Sequence, residues 1–334
     1  MGGVLGELGK KLAERWVALL VLPGALYLAV AAAALTLGNG HPFDPAVLTA
    51  QVNRWAEAPA AKSTGGQMVV LVAVLVGAAA VGVVAQALGS LVEQVQLADN
   101  CADWPAGPRG VARRLTERRK RRWHVAAERW RRAENEVGLE RAELHRQPGS
   151  DPSALEAARD AARDACAAKD RIALEEPARP TWSGDRIQAV AVRLQRDFRL
   201  DLATLWPRLW LVLPDTPRQE VTAARQALTR ATTLGAWAGL YLPLALWWWP
   251  ALIVAAVLAV AAHLRVRAAA HTYATLLEAA AQLYAPDLAR QLGFYPVDGL
   301  TKATGGRIAQ LLRPSPPVDL AGPRRTEPPR TPAQ

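Results

Sequence analysis

Eleven lysines and arginines lie between Arg109 and Arg132 against only Glu117 and Glu128, with Trp123 and Trp130 interleaved among them. Guanidinium groups donate paired hydrogen bonds to phosphate oxygens, and indole rings settle where water meets hydrocarbon. Arg118, Arg119, Lys120, Arg121, Arg122, Trp123, Trp130, Arg131 and Arg132 are therefore the candidate lipid-binding residues. Close to a membrane each such cation adds roughly 1 kcal/mol of attraction to anionic headgroups. The competing account is a solvated helix face, rich in arginine only because the whole chain is. Nucleic acid is disfavoured, since no base-reading motif accompanies the charge.

Other constellations are poorer in chemistry. His263, Arg267 and His271 share a helix face at spacings of four, a poor metal site and a better interfacial anchor. Asp197 and Asp201 are four apart, as surface carboxylates on helices often are. Cys101 and Cys166 are two isolated thiols, with neither a disulfide framework nor a zinc pattern around them. With no glycine-rich phosphate loop, nucleophile elbow or paired-carboxylate arrangement, no catalytic activity, cofactor or metal is expected.

The basic segment matters only if something holds it near a membrane, and the composition supplies that. The chain has 334 residues, a net charge of +10, 51% apolar and 21% charged residues. Its mean hydropathy, +0.03, averages very apolar blocks with very charged ones. Three stretches carry no formal charge: Trp16 to Phe43, Ser63 to Val92 and Ala231 to Leu264. Crossing a hydrocarbon core of about 30 Å takes roughly 20 apolar helical residues. Trp16–Leu37 and Met68–Leu88 each meet that length, the first with a kink expected at Pro23-Gly24 and too long for the apolar core of a signal peptide. Residues 39–66 between them read as an extracytoplasmic loop.

The third stretch is too long for one crossing. Pro243 and Trp247-Trp248-Trp249-Pro250 fall near its middle, so Thr232–Trp247 and Pro250–Leu264 read as a helical hairpin turning at the far interface; a re-entrant element is the rival. Lys10, Lys11 and Arg15, the arginines between the second and third stretches, and Arg265 and Arg267 all then lie on the cytoplasmic side, as the positive-inside rule requires. The fold class expected is all-α: a polytopic inner-membrane protein with four transmembrane helices, a cytoplasmic arm over residues 1–15 and both termini cytoplasmic.

Small residues let helices approach closely in lipid, where no hydrophobic effect draws them together. Ala78, Gly82, Ala85 and Gly89 on one face, and Gly235 and Gly239 in a Gly-x-x-x-Gly pattern, are the candidate packing positions, within one chain or in a homo-oligomer. Nothing ionisable sits mid-span, which disfavours transport.

Residues 93–230 read as a cytoplasmic helical domain. An αα-hairpin is expected over 111–175, its second helix from Ser153 to Glu175 with Leu155, Ala158, Ala162, Ala165, Lys169 and Ile172 at spacings of three and four. A further helix follows over Asp185–Arg199. Trp206 and Trp210 surround Pro207, which should prevent a plain helix, and they are the candidates for coupling this domain to the membrane. A helix capped at Asp215 or Thr216 runs into the third stretch. Residues 265–293 read as a cytoplasmic helix and 294–334 as a disordered, proline-rich tail, with seven prolines in the 22 residues from Arg313.

The block Trp206-Pro207-Arg208-Leu209-Trp210-Leu211-Val212-Leu213-Pro214-Asp215, the Trp-rich hairpin and the Tyr273–Gly293 helix resemble a group of uncharacterised multi-pass membrane proteins of high-GC, actinobacteria-like bacteria. The resemblance covers about residues 185–294. It implies a membrane setting and brings no activity or ligand-binding residue. The function expected is a membrane-anchored scaffold or adaptor presenting a basic cytoplasmic domain to a protein partner, with a membrane-perturbing or pore-forming effector as the alternative.

Overall fold

The computed structural model describes residues 21–97, 106–147, 151–295 and 299–312. Every described element is a helix, and no strand occurs among the described residues. The N-terminal arm, Trp16, Cys101 and the proline-rich tail lie outside them. The chain divides into two compact units, one of residues 1–192 and 214–279, the other of 193–213 and 280–334.

The first unit begins with α1 (Leu22–Leu37), α2 (Pro45–Glu57), α3 (Pro59–Lys62) and α4 (Thr64–Leu97). The expected loop over 39–66 is thus largely helical. Asp44 Oδ1 accepts from Ala46 N–H at 2.9 Å and Pro45 opens the first turn, a start signal that does not depend on hydrophobic periodicity. Val21 is already helical, so a kink at Pro23 falls at the edge of the described residues. α4 is 34 residues long and contains all of Met68–Leu88.

The basic segment lies in α5 (Ala106–Arg146), which turns back on α6 (Ser153–Asp170). Ala133, Val137, Leu155 and Ala162 form their buried seam, flanked by Leu144, Ala158 and Ala165. α6 stops at Asp170 rather than near Glu175. Beyond it the carbonyls of Ile172 and Ala173 are claimed by Arg119 and Trp123 of α5, which draws the chain off the helical path. α7 (Trp182–Phe198) follows.

The third charge-free stretch folds back on itself. α9 (Asp215–Tyr241), entered from α8 of the second unit, begins one residue after Pro214, so Asp215 lies inside it and pairs with Arg218 at 3.2 Å. A 3₁₀ turn (Pro243–Leu246) then leads into α10 (Pro250–Gln291). Leu228 and Ala231 meet Val266 and Ala270 in one buried cluster, and Tyr241 and Leu244 meet Ala251 and Ala255 in another, so the two helices are antiparallel. Tyr27, Val30 and Ala31 of α1 join the second cluster, and α4 packs against both α1 and α9.

Among the described residues, two helices are long and apolar enough to cross a membrane, Thr64–Gln94 and Pro250–Gln291. α1 is described only from Leu22 and is 16 residues long, and the first half of α9 is charged, so neither meets that measure alone. Small residues point inward, among them Ala34, Ala78, Ala85, Ala251 and Ala255, while Met68, Val69, Val76, Val257, Val260 and Leu264 are exposed.

The second unit holds the end of α7, α8 (Leu202–Val212), the end of α10 and α11 (Lys302–Leu312). Contrary to expectation, Pro207 lies within a helix. Asp201 caps that helix by accepting from the N–H groups of Ala203 and Thr204, and the Arg208 guanidinium donates to the Thr204 carbonyl at 2.9 Å, beside the Ala203 carbonyl that Pro207 leaves without its helical donor. Leu194, Leu200, Leu205, Leu209 and Ile308 are fully buried. α11 meets the C-terminus of α7 closely: a β-carbon on Gly305 would fall on the Phe198 carbonyl oxygen.

Candidate membrane-surface site

Helical periodicity sorts the basic segment of α5 into two faces with different work. Arg119 points inward, its side chain 17% exposed. Its guanidinium donates to the carbonyls of Arg179 at 2.9 Å and Ile172 at 2.8 Å, and pairs at 2.5 Å with Asp185, whose side chain is 5% exposed. Trp123 Nε1–H donates to the Ala173 carbonyl at 2.9 Å. Lys169 lies 4.6 Å over the Trp130 ring, and Lys120 is 3.3 Å from Glu176. These four residues, all candidates for lipid contact in the sequence, hold α5 to the rest of its unit.

Arg118, Arg121, Arg122, Arg131 and Arg132 are exposed. At 100° per residue, Arg118, Arg121, Arg122 and Arg132 share a stripe with Arg114 and Arg129, and Val111, Leu115 and Val125 are exposed along it. Arg131 faces elsewhere. Arg114, Leu115, Val125 and Arg129 belong to the site although the density of charge alone did not pick them out; the 3.6-residue period does. A row of guanidiniums with aliphatic side chains between them can bind phosphate oxygens while its apolar members enter the headgroup region.

Asp185 links α5 to α7. Its Oδ1 accepts the N–H groups of Ala178 and Arg179 at 2.9 and 2.8 Å. Burial pushes its carboxyl above the usual aspartate range, against the pull of Arg119 and those two amides. One residue on, Arg186 Nε–H donates to His271 Nδ1 at 3.2 Å and its Nη2 to Thr275 at 3.1 Å, which fixes His271 as the tautomer with an unprotonated Nδ1. Arg267 stacks 4.2 Å over Trp182. In the first unit it is α7 that joins the basic helical pair to α10. Trp206 and Trp210, the sequence candidates for that coupling, lie in the second unit with ring centroids 5.8 Å apart, both half-buried.

Of the candidate packing residues, Ala78, Gly82, Ala85 and Gly89 are all buried along one face of α4. A β-carbon on Gly89 would come within 2.9 Å of Thr233 of α9. Gly239 has nothing within 4 Å of that position, and Gly235 has only Ala262 at 3.7 Å. The tightest approach among these helices is at Gly24, where a β-carbon would sit 2.0 Å from the Ala78 carbonyl oxygen.

No protein-family model, curated protein or solved structure matches the chain.

Proposed function

We propose that the chain is a multi-pass inner-membrane protein with four spans and both termini cytoplasmic, a scaffold or adaptor that holds a basic helical domain against the inner leaflet and presents it to a protein partner. The observation that carries this reading is the division of α5: one face anchored through Arg119, Trp123 and Trp130, the other an exposed stripe of arginine and aliphatic residues. A solvated helix gains nothing from exposed Val111, Leu115 and Val125 in that stripe, whereas a helix lying on a membrane buries them.

The ends of the helical assembly support the threading. At one end Asn39 bonds to the Leu246 carbonyl at 3.3 Å and the Trp249 amide at 2.8 Å, and Trp248 donates to the Pro42 carbonyl at 2.9 Å. This end carries indoles, as the far interface would. Toward the opposite end Glu93 pairs with Arg225, which lies 5.8 Å over Tyr273.

The test is amide hydrogen exchange of the full chain in nanodiscs. Exchange in α5 should slow in anionic relative to zwitterionic phospholipid, and replacing Arg118, Arg121 and Arg122 by Gln should abolish the difference. Equal exchange in both lipids would reject the surface-bound helix.

A further inference from the structure

A cavity of about 420 Å³ opens where the start of α7 meets α9 and α10, and its two ends differ in chemistry. One side is apolar, formed by Val92, Ala231, Ala259 and Ala262. The other is formed by Thr181, Trp182, Ser183, His263 and Arg267. No carboxylate is among its lining residues. The cavity is within the roughly 300–1,000 Å³ that small-molecule sites occupy.

The polar end holds donors in excess. Arg267 is braced by the Trp182 ring, which fixes the plane of its guanidinium without neutralising it. His263, one helical turn earlier, is exposed beside it. Ser183 is 4% exposed and lines the same cavity, where its hydroxyl can donate to or accept from a bound group. A hydroxyl, an oriented guanidinium and an imidazole lining one space suit a ligand bearing several acceptor oxygens and negative charge. Val260 and Leu264, next in sequence to the lining residues Ala259 and His263 of α10, are exposed and apolar, so the same ligand should carry hydrocarbon.

We propose that this cavity is a discrete binding site for one anionic phospholipid. The phosphate is held by Arg267, Ser183 and His263, and the acyl chains leave along α10. The site differs from the α5 stripe, which attracts a surface rather than a single molecule. A zwitterionic headgroup fits less well, because its ammonium would find no carboxylate in the lining and the Trp182 face is already covered by Arg267.

The experiment is native mass spectrometry of the full-length protein, stripped of lipid in detergent and titrated with phosphatidylglycerol, phosphatidylcholine or inorganic phosphate. The wild type should bind one phosphatidylglycerol, bind phosphatidylcholine about tenfold more weakly, and keep its lipid in excess inorganic phosphate. Arg267→Gln should weaken phosphatidylglycerol about tenfold, as loss of a charged hydrogen-bond donor does. Gly235→Leu should do the same by filling the cavity with every charge in place, since a β-carbon at Gly235, in the lining, meets only Ala262, at 3.7 Å. The triple replacement of Arg118, Arg121 and Arg122 by Gln should leave this stoichiometric binding unchanged. Equal binding of the two phospholipids, displacement by inorganic phosphate, or wild-type affinity in both pocket variants would overturn the assignment. So would loss of the lipid in the triple variant, which would move it to α5.

Discussion

Arg119 shows how one guanidinium can serve folding inside a segment whose composition suggests surface binding. It satisfies two carbonyls and one carboxylate at once, a geometry that a planar fork can meet and an ammonium cannot. Arg119→Ala leaves Asp185 buried with less compensation and should cost about 3 kcal/mol, read as a lower melting temperature of the detergent-purified protein; Arg119→Lys should recover only part of it. An unchanged melting temperature would place this residue with the solvated arginines. Asp201 gives the pH-dependent counterpart. Hydrogen bonds from the Thr204 hydroxyl and the amides of Thr204 and Ala203 hold its carboxyl below the usual range. A carboxyl lowered by folding contributes stability that is fully present above its unfolded pKa of about 3.9 and is lost as pH falls through the lower folded value. Asp201→Ser keeps a capping oxygen without a charge, so its melting temperature should fall less than that of the wild type on acidification below about pH 4. Parallel curves for the two proteins would contradict this. At this scale the sequence was least informative: charge density marks Arg118 and Arg119 alike, and only the register of α5 against Ile172, Arg179 and Asp185 separates them.

Among the elements, helices were legible wherever a stop signal or a long apolar run bounded them. The run from Asp215 into the third apolar stretch is one continuous helix, and the proline-tryptophan cluster is where the chain turns. Three features were not legible, each for a local physical reason. The segment after α1 was read as loop for want of periodicity, yet Asp44 and Pro45 start a helix there by capping alone. Pro207 was read as a breaker, yet it lies inside α8, whose start Asp201 caps. Gly-x-x-x-Gly drew attention to Gly235 and Gly239, whereas close approach depends on which residue faces another backbone, as Gly24 does against Ala78 and Gly89 against Thr233. Gly24→Ala must drive α1 and α4 apart, with an overpacking cost of about 1–3 kcal/mol; Gly239→Ala should be silent. Comparing the thermal stability of the two variants checks this, and equal stability would remove Gly24 from the α1–α4 contact.

Taken whole, the chain has its large aliphatic residues outward on α4 and α10 and its small ones inward, which in water would leave a continuous apolar surface exposed. Lipid would resolve that arrangement, and among the described residues two helices have the length and composition to cross. The proposed four-span threading adds α1 and the apolar half of α9, and it rests on the Asn39 and Trp248 contacts holding the hairpin turn to the chain that follows α1. It also puts the α5 stripe and the cavity at Arg267 on one side of the bilayer, as both proposals for lipid contact require. Single-cysteine labelling in intact cells tests that threading most directly. With Cys101 and Cys166 replaced by Ser, Leu246→Cys should react with a membrane-impermeant maleimide added outside, and Arg122→Cys should react only after the membrane is permeabilised. Labelling of position 246 only after permeabilisation, or of position 122 in intact cells, would contradict the account.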